Sequence, residues 1–498
     1  MAQRLNKKLV VGLTIAGMLL IAGAGVLLVY SLPGRDPKPV AEAGEKKLAE
    51  AEQIRTQIRE IDTKLAEAKT EQEKDALRAQ RKTLQTSLQD CYEAAQKYFQ
   101  KAYGRALGGS DAAAASKYLI KAGDVAMSAG TPEMAAECWR IVLRNNPKNI
   151  EAQQKLVELH LQWAEIYGRD AWNQLREQAE QLVAADFDPD NVVGINALGR
   201  CMVEAPNTTI EEMEKGGKLL EKAFEADRTN PKFAESLALY PLRLLERRIA
   251  EARRQGRSEE AAAMERNRGE AVKFACEVYD RLIEAVKNLG EEQRAVVATA
   301  WRKRAQFHLA LREAADSELK QKAKARATPA QLEEVRQRID THSQLAKESI
   351  EEALELSKND VESLVLMGNY VRSTPTQTGD PVEQKQKEHD YWVEACEWYK
   401  KAIQADPDSF IPYLELHRFY VRQADDAFAA RNETALAEST QKAAQVLEER
   451  IKRGIGGGVS QWRDKSLLGE LRYQLFRATS IYAERLIDLA GSRAAAEQ

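Results

Sequence analysis

Paired cysteines are missing from this chain. Its five, Cys91, Cys138, Cys201, Cys276 and Cys396, stand singly with no Cys-x-x-Cys spacing, which excludes a disulfide framework and a four-cysteine zinc site and leaves small buried core residues. Histidine is equally sparse. His160, His308, His342, His389 and His417 never fall three or four apart, so no helix face carries paired ring ligands and no His-Glu-x-x-His metal site exists. The glycine-rich run at 454–458 lacks the Gly-Lys-Ser/Thr ending that would hold phosphates, and reads as a flexible loop. Alternating β-branched stretches are almost absent. Charge of one sign is lacking too: a net charge of −3 gives no reason to expect nucleic acid, and no aromatic-interleaved basic motif appears. No nucleophile, metal or cofactor constellation remains, so the reading is non-catalytic and without cofactor.

What is present is helix-forming. Charged residues make up 30% of the 498 positions, with alanine, glutamate, leucine, lysine, arginine and glutamine dominant, which predicts a nearly all-α protein. Within it a phrase returns: a small residue, a large one four later, a small or apolar one three later, then proline. It reads Ala395, Tyr399, Ala402 and Pro407 most fully, with Trp398 beside the large position. It recurs as Ala135, Trp139, Val142 and Pro147, as Ala346, Ile350 and Ala353, and more loosely as Gly216, Leu220 and Ala223. Small residues let two helices approach, the large one fills the gap, and proline ends one helix or begins the next. Partner helices precede three of these phrases, at Leu119-Gly123-Ala126, Trp301-Ala305-His308 and Leu364-Gly368-Val371.

This pattern resembles the tetratricopeptide repeat family over roughly residues 90–450, although only 116–149 has the family's 34-residue length. The resemblance implies an irregular α-solenoid of antiparallel helix pairs, about five to seven of them, whose first helices line a concave groove holding an extended peptide or a helix of another protein. Carried over position by position, the groove-facing residues are Lys117, Ile120, Asp124 and Met127; Thr299, Arg302 and Gln306; Val365, Asn369 and Arg372; and Leu414, Arg418 and Val421. Asn369 with Arg372 and Arg418 suits an acidic segment or a terminal carboxylate, set against the plainer reading of a solvated helix surface. The arginine-rich stretch 243–268 and the basic stretch 320–326 read as solvated helix faces or long turns.

The N-terminal region differs. After the short basic segment 1–8, residues 9–31 form an uncharged apolar run long enough to span a bilayer. A cleavable signal peptide is the rival, but the apolar run continues past Ala22-Gly23-Ala24, which favours an uncleaved single-pass anchor in the lipid bilayer. The basic N-terminus reads as cytoplasmic, with the repeats on the periplasmic or extracytoplasmic side; Arg35, Lys38, Lys46 and Lys47, together with unpaired cysteines, argue against that orientation. A proline-containing linker at 32–43 leads to 44–106, a helical hairpin or a short coiled coil that would make a homo-oligomer. Repeats with insertions follow over 107–453, then the glycine-rich loop and a capping helix over 454–498. The functional expectation is a membrane-tethered scaffold that binds other proteins; a structural oligomer assembled through 44–106 is the alternative.

Overall fold

The computed structural model describes residues 36–67, 70–107, 112–375, 380–453 and, within the last stretch, 469, 471–477, 480–482, 484–485 and 487–488. Those residues are helical apart from turns, with no strand among them. The apolar run at 9–31 and most of 454–498 lie outside them. Among the described residues no helix is long and apolar enough to cross a membrane. The residues divide into two compact units after Leu159.

The first unit opens with α1 (Lys38–Glu67) and α2 (Glu71–Leu107). Helix thus begins inside the stretch expected to be a linker, because a proline at the second position of a first turn forfeits no hydrogen bond. The Asp36 carboxylate accepts from the Lys38 amide there. The two helices run antiparallel and pack along their length, with Gly44 against the Phe99 ring and Glu50 beside Cys91. Next come α3 (Ala112–Ser128) and α4 (Pro132–Asn145), and then α5 (Ile150–Tyr167), within which the unit boundary falls.

The second unit continues with α6 (Arg169–Leu182), α7 (Val192–Glu204), α8 (Ile210–Ala226) and α9 (Pro231–Arg254). A short α10 (Ser258–Arg266) leads into α11 (Arg268–Val286). The long α12 (Arg294–Lys324) and α13 (Pro329–Leu356) follow, then α14 (Val361–Arg372), α15 (Pro381–Ala405), α16 (Ile411–Ala429) and α17 (Glu433–Arg453). Helices pair as α7 with α8, α9 with α11, α12 with α13, α14 with α15, and α16 with α17. The first helices of successive pairs also touch in series, α7 with α9, α9 with α12 and α12 with α14. In this unit, then, antiparallel helix pairs stack in series.

The recurring phrase makes that stacking. Its small and large positions are sealed: Ala395, Tyr399, Ala402, Ala135, Val142, Ala346, Ile350, Ala353, Leu220 and Ala223 have no accessible surface. Each large residue presses on a small one of the partner helix. A Cβ on Gly123 would lie 2.4 Å from Trp139, and one on Gly368 would lie 2.4 Å from Tyr399. Burying one such ring stabilises by about 2–3 kcal/mol, and it does so only where the facing backbone carries no side chain. Leu220, Phe224, Phe233, Leu237, Tyr279, Leu282 and Phe307 belong to one continuous core that crosses three helix pairs, so each pair is held by its neighbours. Helix ends are closed locally. Thr209 with Glu212, and Thr328 with Gln331, form reciprocal capping boxes that satisfy amides the helix cannot.

Of the C-terminal stripe, Leu471 and Tyr482 are buried and Leu475 packs on Leu447 and Phe410. Leu468, Leu486 and Leu489 lie outside the described residues.

Candidate protein-binding surface

The residues expected to face a groove divide by environment. In the first unit Lys117 is exposed and Met127 half-buried, and Asp124 pairs with Lys155 at 2.9 Å. Ile120 corrects the expectation: it is buried in the core, because α3 is covered by both α2 and α4 and has no free apolar face.

In the second unit Arg302 is already engaged. It reaches Asp360 at 2.8 Å and Glu362 at 3.0 Å, and it also donates to the Thr299 hydroxyl. Asp360 caps α14, so Arg302 fastens α12 to the start of α14. Gln306 is exposed. Val365 is a second correction, since it belongs to the core cluster of Ala395, Tyr399 and Ala402. Leu414 and Val421 are half-buried against two separate clusters, that of Phe410 and Leu447 and that of Ala424 and Tyr482.

Asn369, Arg372 and Arg418 are brought together, though not as an empty clamp. The Tyr399 hydroxyl donates to the Asn369 side-chain oxygen at 2.8 Å. The Glu415 carboxylate, only 6% exposed, lies 3.2 Å from Arg372 and accepts from Arg418 one turn along its own helix. Arg372 also lies over the Trp392 ring, 5.2 Å from its centroid, and Arg422 does so at 5.3 Å. The two guanidiniums expected to await a ligand carboxylate therefore already hold one from the protein. Sequence reasoning passed over Glu415, though it stands three residues before Arg418 on the same helix.

A different site has room. Helices α5, α6, α7, α9 and α12 enclose an open cleft of about 920 Å³. On its wall Arg200 makes a bidentate pair with Glu204 and reaches Glu165 at 3.0 Å, while Arg243 reaches Glu204 at 2.7 Å. Burial alone would raise the Glu204 carboxyl, but Arg200 and Arg243 outweigh that and hold it below the usual carboxylate range. Lys303 closes on Glu235 at 2.9 Å, and Glu246 is drawn to Arg268. Arg247 differs from these. It donates to the Thr208 carbonyl at 3.0 Å and has no carboxylate partner among the described residues. One turn from Arg243 on α9, it presents its remaining donors to the cleft. Arg243 and Arg247 belong to the stretch read as a solvated face. Their place in the cleft was hidden because the opposing wall comes from α5 and α7, at least 39 residues before Arg243.

Burial pushes the Cys138 thiol up to about 11 and those of Cys201 and Cys396 up to about 12, so these sulfurs are protonated and poorly nucleophilic at neutral pH. Among the described residues no group of three or more metal-ligating side chains converges.

No protein-family model matches the chain, and no curated protein matches it. Among solved structures, a human IFIT1 dimer with m7Gppp-AAAA aligns over 87% of this chain and 94% of that chain, at 12% identity and a TM-score of 0.34. A monomeric IFIT1 mutant with Gppp-AAAA aligns over 87% and 95%, at 11% identity and a TM-score of 0.35. A circular tandem repeat protein aligns over 92% and 99%, at 12% identity and a TM-score of 0.25. At these scores the description of the chain as an all-α helical-repeat protein rests on its own helix pairs.

Proposed function

We propose that this chain is a non-catalytic, membrane-tethered scaffold that binds a segment of another protein in the cleft walled by α5, α7, α9 and α12. The observation that carries the reading is the cleft itself: about 920 Å³ of open space between α5, α7, α9 and α12, with one half-buried guanidinium, Arg247, that has no acidic partner among the described residues. Pockets with a few converging polar groups are where protein surfaces accept ligands, and an arginine held by one carbonyl is pre-oriented for a partner's carboxylate or main-chain carbonyl. The tether is proposed from the uncharged run at 9–31, and an extracytoplasmic position for the repeats from the basic residues that precede it.

The test is a cross-linked pulldown from native membranes, comparing the intact chain with Arg247→Glu and with Arg247→Ala. Neither substitution removes a cation from a buried carboxylate, unlike a change at Arg372 or Arg418, each of which would take away one of the two cations that hold Glu415. A defined set of partners lost with Glu and weakened with Ala is the expected result. An unchanged set would overturn the assignment of binding to this cleft.

A further inference from the structure

We propose that a second groove, running along α14 between α13 and α15, docks a basic, apolar helix of a partner protein. Helix α14 packs against both α13 and α15, while those two make no extended contact with each other. The gap between them leaves a groove of about 770 Å³. Its apolar lining is Leu354, Met367, Tyr370, Tyr391 and Trp398. Tyr370, Tyr391 and Trp398 are only half-buried, although they pack on the core of Ala395, Tyr399 and Ala402.

Charge selects the partner. Glu351, Glu355 and Glu394 line this groove. Lys347 stands 3.8 Å from Glu351, whereas the carboxylates of Glu355 and Glu394 have no basic partner among the described residues. Lys358, in the turn after α13, is the other cation of the lining. The C-terminal ends of α13 and α14 both border the groove, and the partial negative charge of a helix C-terminus favours a cation. The aromatic rings attract the same charge, and Lys401 of this chain already sits 4.0 Å from the centre of the Trp398 ring. A lysine or arginine on an apolar helix would lay its methylenes on the rings and bring its head group to Glu355 and Glu394.

The probe is a fluorescein-labelled amphipathic helix of 18 residues built from leucine and lysine, with a counterpart bearing glutamate at every lysine, titrated by anisotropy against the full chain in detergent. The expected result is binding of the lysine helix at least tenfold tighter than the glutamate helix. Glu355→Lys with Glu394→Lys should weaken it at least tenfold. Tyr391→Ala should weaken it without reversing the charge preference. Glu259→Lys with Glu270→Lys, on exposed positions of α10 and α11, serves as the control. Equal loss in the control and groove variants, no loss in either, or no binding of the lysine helix overturns the proposal. Arg247→Glu leaves this binding unchanged, so failure here and failure of the first cleft are separately visible.

Discussion

Gly368 and Gly123 are glycines on which a methyl group would meet a buried ring. A methyl group on Gly368 would press into Tyr399, which has no accessible surface and nowhere to move. We expect Gly368→Ala to cost about 1–3 kcal/mol by overpacking. Gly269 near the start of α11, with nothing within 4 Å, should instead gain about 0.4–1 kcal/mol as alanine. Thermal melts of the two variants should shift in opposite directions, and a matching pair of shifts would refute the packing account. A second residue-scale effect is acid sensitivity. The His308 and His342 rings stack with their Nδ1 atoms 3.3 Å apart. Burial first, then the Arg304 charge and His342, push His308 down to about 3 from an ordinary 6.5. The unfolded chain therefore takes up that proton before the folded one does, and the stability contributed by neutral His308 falls away as pH drops from about 6.5 toward 3. His308→Phe should flatten the acid limb of the melting-temperature profile; an unaltered limb would show that another group governs it.

Among elements, α14 depends on an arginine from α12. Arg312 has no accessible surface; it donates to the Tyr370 carbonyl at 2.9 Å and to the Ser373 hydroxyl, and it lies over the Tyr370 ring. Carbonyls at a helix C-terminus lack partners within the helix, and here a cation from another pair satisfies one of them. Arg312→Met should cost about 1–3 kcal/mol through the loss of its two charge-assisted hydrogen bonds, with the Thr374 hydroxyl still donating to the Tyr370 carbonyl, and should speed amide exchange at the end of α14. Lysine should not restore protection, because it lacks the planar fork. Local closure has a simpler case in Thr209, whose capping box opens α8. Thr209→Ala is expected to cost about 1 kcal/mol, read by urea titration.

For the molecule as a stack of pairs, each pair leans on the next. Leu220 lies in the core shared by α8, α9 and α11. Leu220→Ala should cost about 2–5 kcal/mol and raise amide exchange through α7–α9, while α16 and α17, whose core is separate, keep their protection. Uniform loss of protection would mean that the pairs unfold as one. The two proposed binding clefts also belong to this scale, since each is assembled by several helices rather than by one.

The sequence by itself determined the helices and their pairing. Proline and capping residues act on the next few positions, and a small residue facing a large one is a contact between helices adjacent in the chain. Glycine at 123 and 368 announced where a ring would press. It could not rank side chains on the first helices as groove or core, because helical spacing places Ile120 and Val365 on a face without saying whether another pair covers it. Only the tertiary structure decided that Arg372 and Arg418 share Glu415, that Arg247 has no carboxylate partner among the described residues, and that α13 and α15 stand apart. A charge on a helix face is neutralised, exposed or poised according to what the neighbouring pair brings opposite it, and that depends on crossing angles and loop lengths rather than on the spacing within any one helix.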